Sequence, residues 1–275
     1  MYRIPVLKKQ LPFRVATTSY IISDNICSNA LVLGPLVDEI ELVLFETPSQ
    51  NNLPSFAEIK DLFRIAEDLD LAYNVHLPSD IFLCDPEPHQ QNYYIDIILR
   101  YFERTYPLNP TLYILHLDSR HTNGLTEDNI DIWIQNISSS IEKAISYGLP
   151  PERVAIENLE FPLDKIAPVA ERYGFKLCLD IGHLLLYRHP LNSQLEKYLN
   201  KCPMAHLHGV NNNIDHISIS VINSQDWQCI SSYLRPYQGC VALEMFSVDD
   251  FYYSMWRLKD FLPSENQAET REVDI

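Results

Sequence analysis

The sequence contains little positive charge. Its 275 residues include 37 aspartates and glutamates against 21 lysines and arginines, so the formal net charge at pH 7 is −16. Proteins that bind a nucleic-acid backbone need a basic surface that releases counterions. The composition therefore argues against DNA or RNA as a partner.

Paired cysteines and long hydrophobic runs are also missing. No cysteines form a C-x-x-C pair, and Cys178 and Cys240 fall in strand-like runs, where a free thiol acts as a small apolar side chain. These features indicate a reducing compartment. No segment has the length of a membrane span, and the first residues contain no apolar stretch before a cleavage site. We therefore expect a cytoplasmic protein without a membrane partner.

Strand-like and helix-like patterns alternate along the chain. The predicted strands are apolar on both faces, as in a parallel sheet that is covered by helices. They span residues 14–20, 39–46, 72–77, 111–117, 153–159, 175–181, 203–210 and 240–246. This order predicts an α/β fold, a single-domain (β/α)8 TIM barrel, with functional groups at the carboxyl ends of the strands. A doubly wound sheet is the alternative, but it would not collect side chains from so many strands around one centre.

Local signals place helices between these strands. Ser55 and Glu58 form a capping box that opens an amphipathic run to Leu69. Further helical patterns cover 127–147 and 163–173, and Asp249 is expected to open a last helix. We assign residues 1–262 to the barrel. The polar, acidic residues 263–275 are expected to form a disordered tail.

Histidines and carboxylates recur where the predicted strands end. These strand ends carry His76, His116, Glu157, Asp180, His183, His206, His208 and Glu244. Burial of so many ionisable groups together is unfavourable unless a cation compensates them. Imidazole and carboxylate ligands without thiolates suit zinc, manganese or iron. The pattern predicts a polynuclear metal site at the C-terminal mouth of the barrel, and with it an enzyme.

Other candidates have simpler interpretations. We expect His206 and His208 to point to opposite sides of their strand, so that only one faces the pocket. His208 is then a group behind the ligands, a catalytic acid or a core residue. Three further histidines are interpreted as loop residues at the surface, and two acids as either loop caps or site groups. These are His89, His121 and His189, and Asp118 and Glu160.

The order of these residues resembles the xylose-isomerase-like barrel superfamily and, within it, the endonuclease IV branch with its zinc cluster. The resemblance implies two or three divalent ions, zinc or manganese, with a carboxylate bridging two of them. It places His76, His116 and Glu157 on one ion; Glu157, Asp180, His206 and Glu244 on a second; and His183 and His216 on a third. In the family an acid lies two residues before the last histidine, but here Ile214 occupies that position and Asp215 is adjacent.

The ligand set favours one reaction over others. Two histidines from early strands match the branch that cleaves phosphoesters, and clustered ions suit an in-line displacement at phosphorus. A sugar isomerase or epimerase, with Glu157 and Glu244 as acid and base, is the main alternative. An endonuclease IV-like DNA repair enzyme agrees poorly with the acidic charge. A third alternative is a module that binds a corrinoid or a metal without catalysis.

Three segments carry a further resemblance, to the cobamide-remodelling phosphodiesterases: TTSYI at 17–21, VDEIELVLFE at 37–46 and VHLP at 75–78. Those enzymes cut the nucleotide-loop phosphodiester of vitamin B12-type corrinoids. The resemblance implies a small-molecule corrinoid substrate and gives no oligomeric state. It implies catalytic roles for Glu157, Asp180, His208 and His216. Substrate-binding roles at the barrel mouth are implied for Ser19, Tyr20 and Glu46.

Overall fold

The computed structural model describes residues 2–119, 125–263, 267 and 270–275. Its strands are β1 (Arg3–Pro5), β2 (Arg14–Thr18), β3 (Glu39–Val43), β4 (Ala72–His76), β5 (Tyr113–His116), β6 (Val154–Glu157), β7 (Lys176–Asp180), β8 (Met204–Leu207), β9 (Gly209–Asn211), β10 (Ile214–Ile217), β11 (Cys240–Leu243) and β12 (Glu272–Asp274). Eight of them close a parallel barrel in the order β11, β2, β3, β4, β5, β6, β7, β8. The predicted TIM barrel is confirmed, and each predicted strand contains one of its strands.

Helices cover the outside of the barrel. They are α1 (Ile26–Leu33), α2 (Phe56–Leu69), α3 (Pro88–Thr105), α4 (Ile130–Ser146), α5 (Ala167–Tyr173), α6 (Ile181–Leu186), α7 (Leu191–Tyr198), α8 (Ser224–Leu234) and α9 (Val248–Leu258). The capping box is confirmed, since Ser55 Oγ accepts from the Glu58 N–H at 3.2 Å and Glu58 Oε2 accepts from the Ser55 N–H at 2.7 Å. The last helix begins earlier than predicted, because Ser247 rather than Asp249 caps it.

Small and apolar side chains fill the lower part of the barrel interior. This inner cluster consists of Ala16, Leu112, Ile114, Ala155, Cys178, Met204, Cys240 and Ala242. Successive residues of a strand point to opposite faces, so the next inward position lies two residues further on. On β5, β6, β7, β8 and after β11, that next position is occupied by a histidine or a carboxylate: His116, Glu157, Asp180, His206 and Glu244. The layer of histidines and carboxylates therefore lies directly above the apolar inner cluster.

The two ends of the described chain pair with each other. Strand β12 is antiparallel to β1, with Val273 opposite Ile4. The prediction of disorder is therefore wrong for Glu272–Asp274. The backbone N–H and C=O groups of this segment find hydrogen-bond partners on β1, which the local sequence does not indicate. Among the described helices, none combines the length and hydrophobicity needed to cross a bilayer. All six cysteines are free thiols.

Candidate metal centre

The carboxyl ends of the barrel strands bring histidines and carboxylates into three groups. Within each group, the potential ligand atoms lie within 4.8 Å of one another. The groups are His76, His116 and Glu157; Glu157, Asp180, His206 and Glu244; and His183, His208 and His216. The convergence predicted from the strand ends is therefore present, and Glu157 belongs to two groups.

The first group joins neighbouring strands β4, β5 and β6. His116 Nε2 lies 3.1 Å from Glu157 Oε2 and 3.1 Å from His76 Nε2. The other nitrogen of His76, Nδ1, donates to the Leu77 carbonyl at 2.8 Å. A backbone acceptor on one ring nitrogen fixes the tautomer and leaves the second nitrogen free as a ligand.

The second group is fully enclosed. His206 Nδ1 lies 3.2 Å from Glu244 Oε2 and 3.4 Å from Glu157 Oε2. Among the described residues, Asp180 Oδ2 and His206 Nδ1 are buried without a hydrogen-bond partner. Buried polar atoms are ordinarily satisfied. Oxygen and nitrogen donors left open beside a shared carboxylate fit a divalent ion, so these residues could hold one.

The third group includes His208, which the sequence analysis does not count among the ligands. His208 is fully buried and faces the site together with His206, so the expectation that only one of them does so is wrong. Residues two apart along an extended chain point to the same side. His208 Nδ1 accepts from the His216 N–H at 3.1 Å, and its Nε2 lies 3.5 Å from Asp180 Oδ1.

His216 reaches this group from a short hairpin formed by β9 and β10. Its φ of 52° is a left-handed conformation, as are the φ values of Asn212 and Asn213 in the turn. Such a conformation is uncommon for non-glycine residues and concentrates at functional sites. His216 Nε2 lies 3.7 Å from Glu244 Oε2. Ile214 is 62% exposed and offers no ligand, whereas Asp215 Oδ1 lies 3.3 Å from His216 Nδ1.

The buried carboxylates and imidazoles of this centre shift one another's pKa values. Burial alone raises the pKa of Glu157, but His206 and His116 outweigh it and hold that pKa well below its usual value. Burial lowers the pKa of His76, yet its hydrogen bond to Glu157 raises it overall to about 9. Binding of a cation here releases such protons, because an imidazole coordinates only in its neutral form.

Glu41 is a buried acid of this site that the sequence analysis does not identify. Its Oε2 lies 3.1 Å from His206 Nε2, and both side chains are fully buried. Glu41 stands within the apolar run of β3 rather than at its end. Its position could have been inferred from side-chain alternation along the strand, because Glu41 lies two residues after the buried Glu39 and therefore points to the same face.

The three predicted substrate-binding residues occupy different environments. Ser19 is buried, and its Oγ accepts from the Val43 N–H at 3.2 Å, which ties β2 to β3. Glu46 accepts from Tyr101 Oη at 2.7 Å and pairs with Arg100 at 2.9 Å. Tyr20 lines a pocket and accepts from Asn52 Nδ2 at 2.8 Å. Their substrate-binding role stays a prediction.

This pocket lies beside the candidate metal centre and has a volume of about 730 Å3. Its apolar lining comes from the end of β3 and from the segments that follow β2, β3 and β11: Ile21, Ile22, Val43, Phe45, Phe246 and Val248. The ring of Phe246 is 5.5 Å from the ring of His216. The mouth therefore combines a polar centre with an adjoining apolar compartment.

The other sequence candidates lie around these groups. His89 is exposed in the first turn of α3 rather than in a loop, and His189 Nε2 hydrogen-bonds the Glu160 carbonyl at 3.1 Å. The Glu160 carboxylate accepts from Ser119 Oγ. The carbonyl of Asp118 accepts from Trp133 Nε1 at 3.1 Å. His121 lies outside the described residues.

Known structures share this barrel. A D-tagatose 3-epimerase-like protein has a TM-score of 0.67 and 19% identity, covering 94% of this chain and 99% of its own. A 3-keto-D-glucoside 4-epimerase from E. coli has a TM-score of 0.67 and 13% identity, covering 90% and 99%. An AP endonuclease of family 2 from Brucella melitensis has a TM-score of 0.61 and 15% identity, covering 89% and 98%.

No curated protein sequence matches the chain. A family model described as a xylose isomerase-like TIM barrel matches residues 36–271, which is most of the sequence and every barrel strand except β2. The chain therefore belongs to the xylose isomerase-like TIM barrel family.

Proposed function

We propose that the protein is a metal-dependent phosphodiesterase that hydrolyses the nucleotide-loop phosphodiester of cobamides in corrinoid salvage. The products are a cobinamide phosphate and the α-riboside of the lower-ligand base. The observation that carries the proposal is Glu157, whose carboxylate is common to two adjacent ligand groups. A shared carboxylate is suited to hold two ions close together, as phosphoester hydrolases require.

Different side chains of the centre have different roles in this reaction. When bound, two divalent ions, zinc or manganese, would supply an activated water and stabilise the charge that develops during the displacement. Glu157 and Asp180 hold the centre together from β6 and β7. The departing riboside oxygen needs a proton, and His216 is placed to give it, because its side chain is 26% exposed at the mouth. His208 is fully buried and directs Nε2 toward Asp180, which suits a role in orienting that ligand.

The surroundings of the centre support a substrate of low negative charge. The net charge of −16 disfavours a DNA duplex, whereas a corrin ring with amide side chains carries little negative charge. The apolar pocket beside His216 offers space for the uncharged aromatic base of the leaving riboside. We therefore place the cobamide as substrate, in a cytoplasmic protein that binds neither nucleic acid nor membrane.

A sugar epimerase is the second candidate, and the two epimerases with a similar barrel favour it. In that reaction Glu157 and Glu244 would act as acid and base on opposite faces of a ketose. Oε2 of Glu157 and Oε2 of Glu244 lie 3.4 and 3.2 Å from the same nitrogen of His206, and both residues belong to one ligand group. This proximity agrees with ligation of a common ion, which the phosphodiesterase proposal requires.

Incubation with adenosylcobalamin tests the proposal directly. The zinc- or manganese-loaded protein is expected to release α-ribazole and a cobinamide phosphate, identified by mass spectrometry, and to leave abasic-site DNA uncut. Protein stripped by a chelator should be inactive until the ion is restored. Cleavage of abasic DNA without action on any cobamide would instead support a repair enzyme. Deuterium incorporation from heavy water into a ketose would support an epimerase.

The apolar pocket gives a further prediction. Phe246→Ala should raise KM for the cobamide with less effect on kcat, since it removes a 50% exposed ring that does not touch the reacting phosphate. We expect a loss of about 1–3 kcal/mol in substrate binding, the range for stacking of a base on an aromatic side chain. Tyr147→Ala, at an exposed aromatic residue outside the pocket lining, is the matched control. Equal KM values for both variants would place the base elsewhere.

A further inference from the structure

Glu41 lies behind a ligand group rather than within it. It stands on β3, reaches across the barrel interior, and contacts His206 on β8 through Oε2 and Nε2 at 3.1 Å. The opposite ring nitrogen, Nδ1, faces Glu244 at 3.2 Å and Glu157 at 3.4 Å. The two nitrogens of one imidazole therefore face two different partners.

This arrangement determines which nitrogen of His206 is available. A neutral imidazole has one N–H and one lone pair. A carboxylate accepts only, so Glu41 favours the proton on Nε2 and leaves the lone pair on Nδ1. Nδ1 faces the other two carboxylates, where among the described residues it has no hydrogen-bond partner.

We propose that Glu41 is a positioning residue, which holds the His206 ring so that Nδ1 faces the ligand group and thereby sets the metal affinity of that group. The inference rests on the metal site of the proposed function but not on its substrate. Carboxylates placed behind a ligating histidine orient the ring and increase its basicity.

Charge and burial agree with this role. Within the part of the chain that the structure describes, Glu41 Oε1 is buried without a hydrogen-bond partner. A carboxylate in such a place is unfavourable unless cationic charge lies near it. Together with Glu157, Asp180 and Glu244, it makes four buried carboxyl groups around the centre.

Zinc affinity measured by competition with a chromophoric chelator tests the proposal. Glu41→Ala is expected to weaken zinc binding about 10–100-fold, the range for loss of such an outer partner. Glu41→Gln should recover part of it, because its amide oxygen still accepts from Nε2–H. Glu39→Gln is the matched control, since it neutralises a fully buried glutamate of the same strand that bonds Thr111 and Arg14 instead of a ligand. It should leave zinc affinity unchanged.

A second measurement does not depend on affinity. Nitrogen-15 NMR of histidine-labelled, zinc-loaded protein should show His206 protonated at Nε2, and Glu41→Gln should weaken that proton's protection from exchange. A His206 protonated at Nδ1, or wild-type zinc affinity in a folded Glu41→Ala, would overturn the inference. Wild-type protein that binds no zinc or manganese would instead refute the metal site of the proposed function.

Discussion

Glu157→Gln should abolish turnover and release metal from the protein. The carboxylate of Glu157 is common to two ligand groups, so its loss removes negative charge from both ion positions at once. The effect on metal affinity should therefore exceed the about 10–100-fold typical of losing an outer partner. Asp180→Asn should act similarly, because Asp180 Oδ2 is buried and, among the described residues, has no hydrogen-bond partner.

Metal content and turnover are measured together for these variants. Inductively coupled plasma mass spectrometry gives ions per chain, and cobamide hydrolysis gives kcat. Glu171→Gln, an exposed acid on α5, controls for the general loss of one charge. Near-normal turnover in folded Glu157→Gln and Asp180→Asn would show that the ions are structural, and the assignment as a metalloenzyme would fail.

Gly182→Ala should disrupt the third ligand group. A Cβ at this position would lie 2.2 Å from Nε2 of His208. The ring of His208 has little room to move, because it stacks on His216 at 4.2 Å and meets the ring of His183 at 5.5 Å. Overpacking of this kind lowers the free energy of unfolding by about 1–3 kcal/mol. We also expect a lower metal content, since Asp180 faces the same ring.

A double-mutant cycle separates this clash from a backbone effect. Removal of the ring in Gly182→Ala/His208→Ala should restore part of the unfolding free energy that Gly182→Ala loses, giving a favourable coupling. Urea denaturation of the wild type and the three variants supplies the four values. Additive losses would mean that the methyl group strains helix α6 and not the histidine.

The sequence was sufficient to predict the barrel because its strands are buried on both faces. Such strands appear as short apolar runs, and polar residues where those runs end mark the mouth. This pattern identifies His76, His116 and Glu157, and the structure brings them together. Ligands carried on strand ends are thus visible before any contact between strands is known.

The contacts that the sequence does not predict depend on how distant segments are placed in the fold. Glu41 lies in mid-strand and becomes part of the centre only because closure of the barrel brings β3 within hydrogen-bonding distance of β8. His208 shares a side with His206, because residues two apart along an extended segment point to the same face. The pairing of β1 with β12 joins segments too far apart in sequence for a local pattern to indicate it.

The centre and the pocket arise from different kinds of chain segment. Most of the ligand side chains sit on or directly after barrel strands, above the apolar inner cluster, whereas the pocket is lined mainly by residues 20–24 and 246–248, which follow β2 and β11. Loops at the mouth of a barrel can change in sequence while its strands stay the same, so substrate preference can diverge without loss of the ligands that the strands carry. Directed evolution confined to those two rim segments should therefore yield altered substrate choice without loss of metal content.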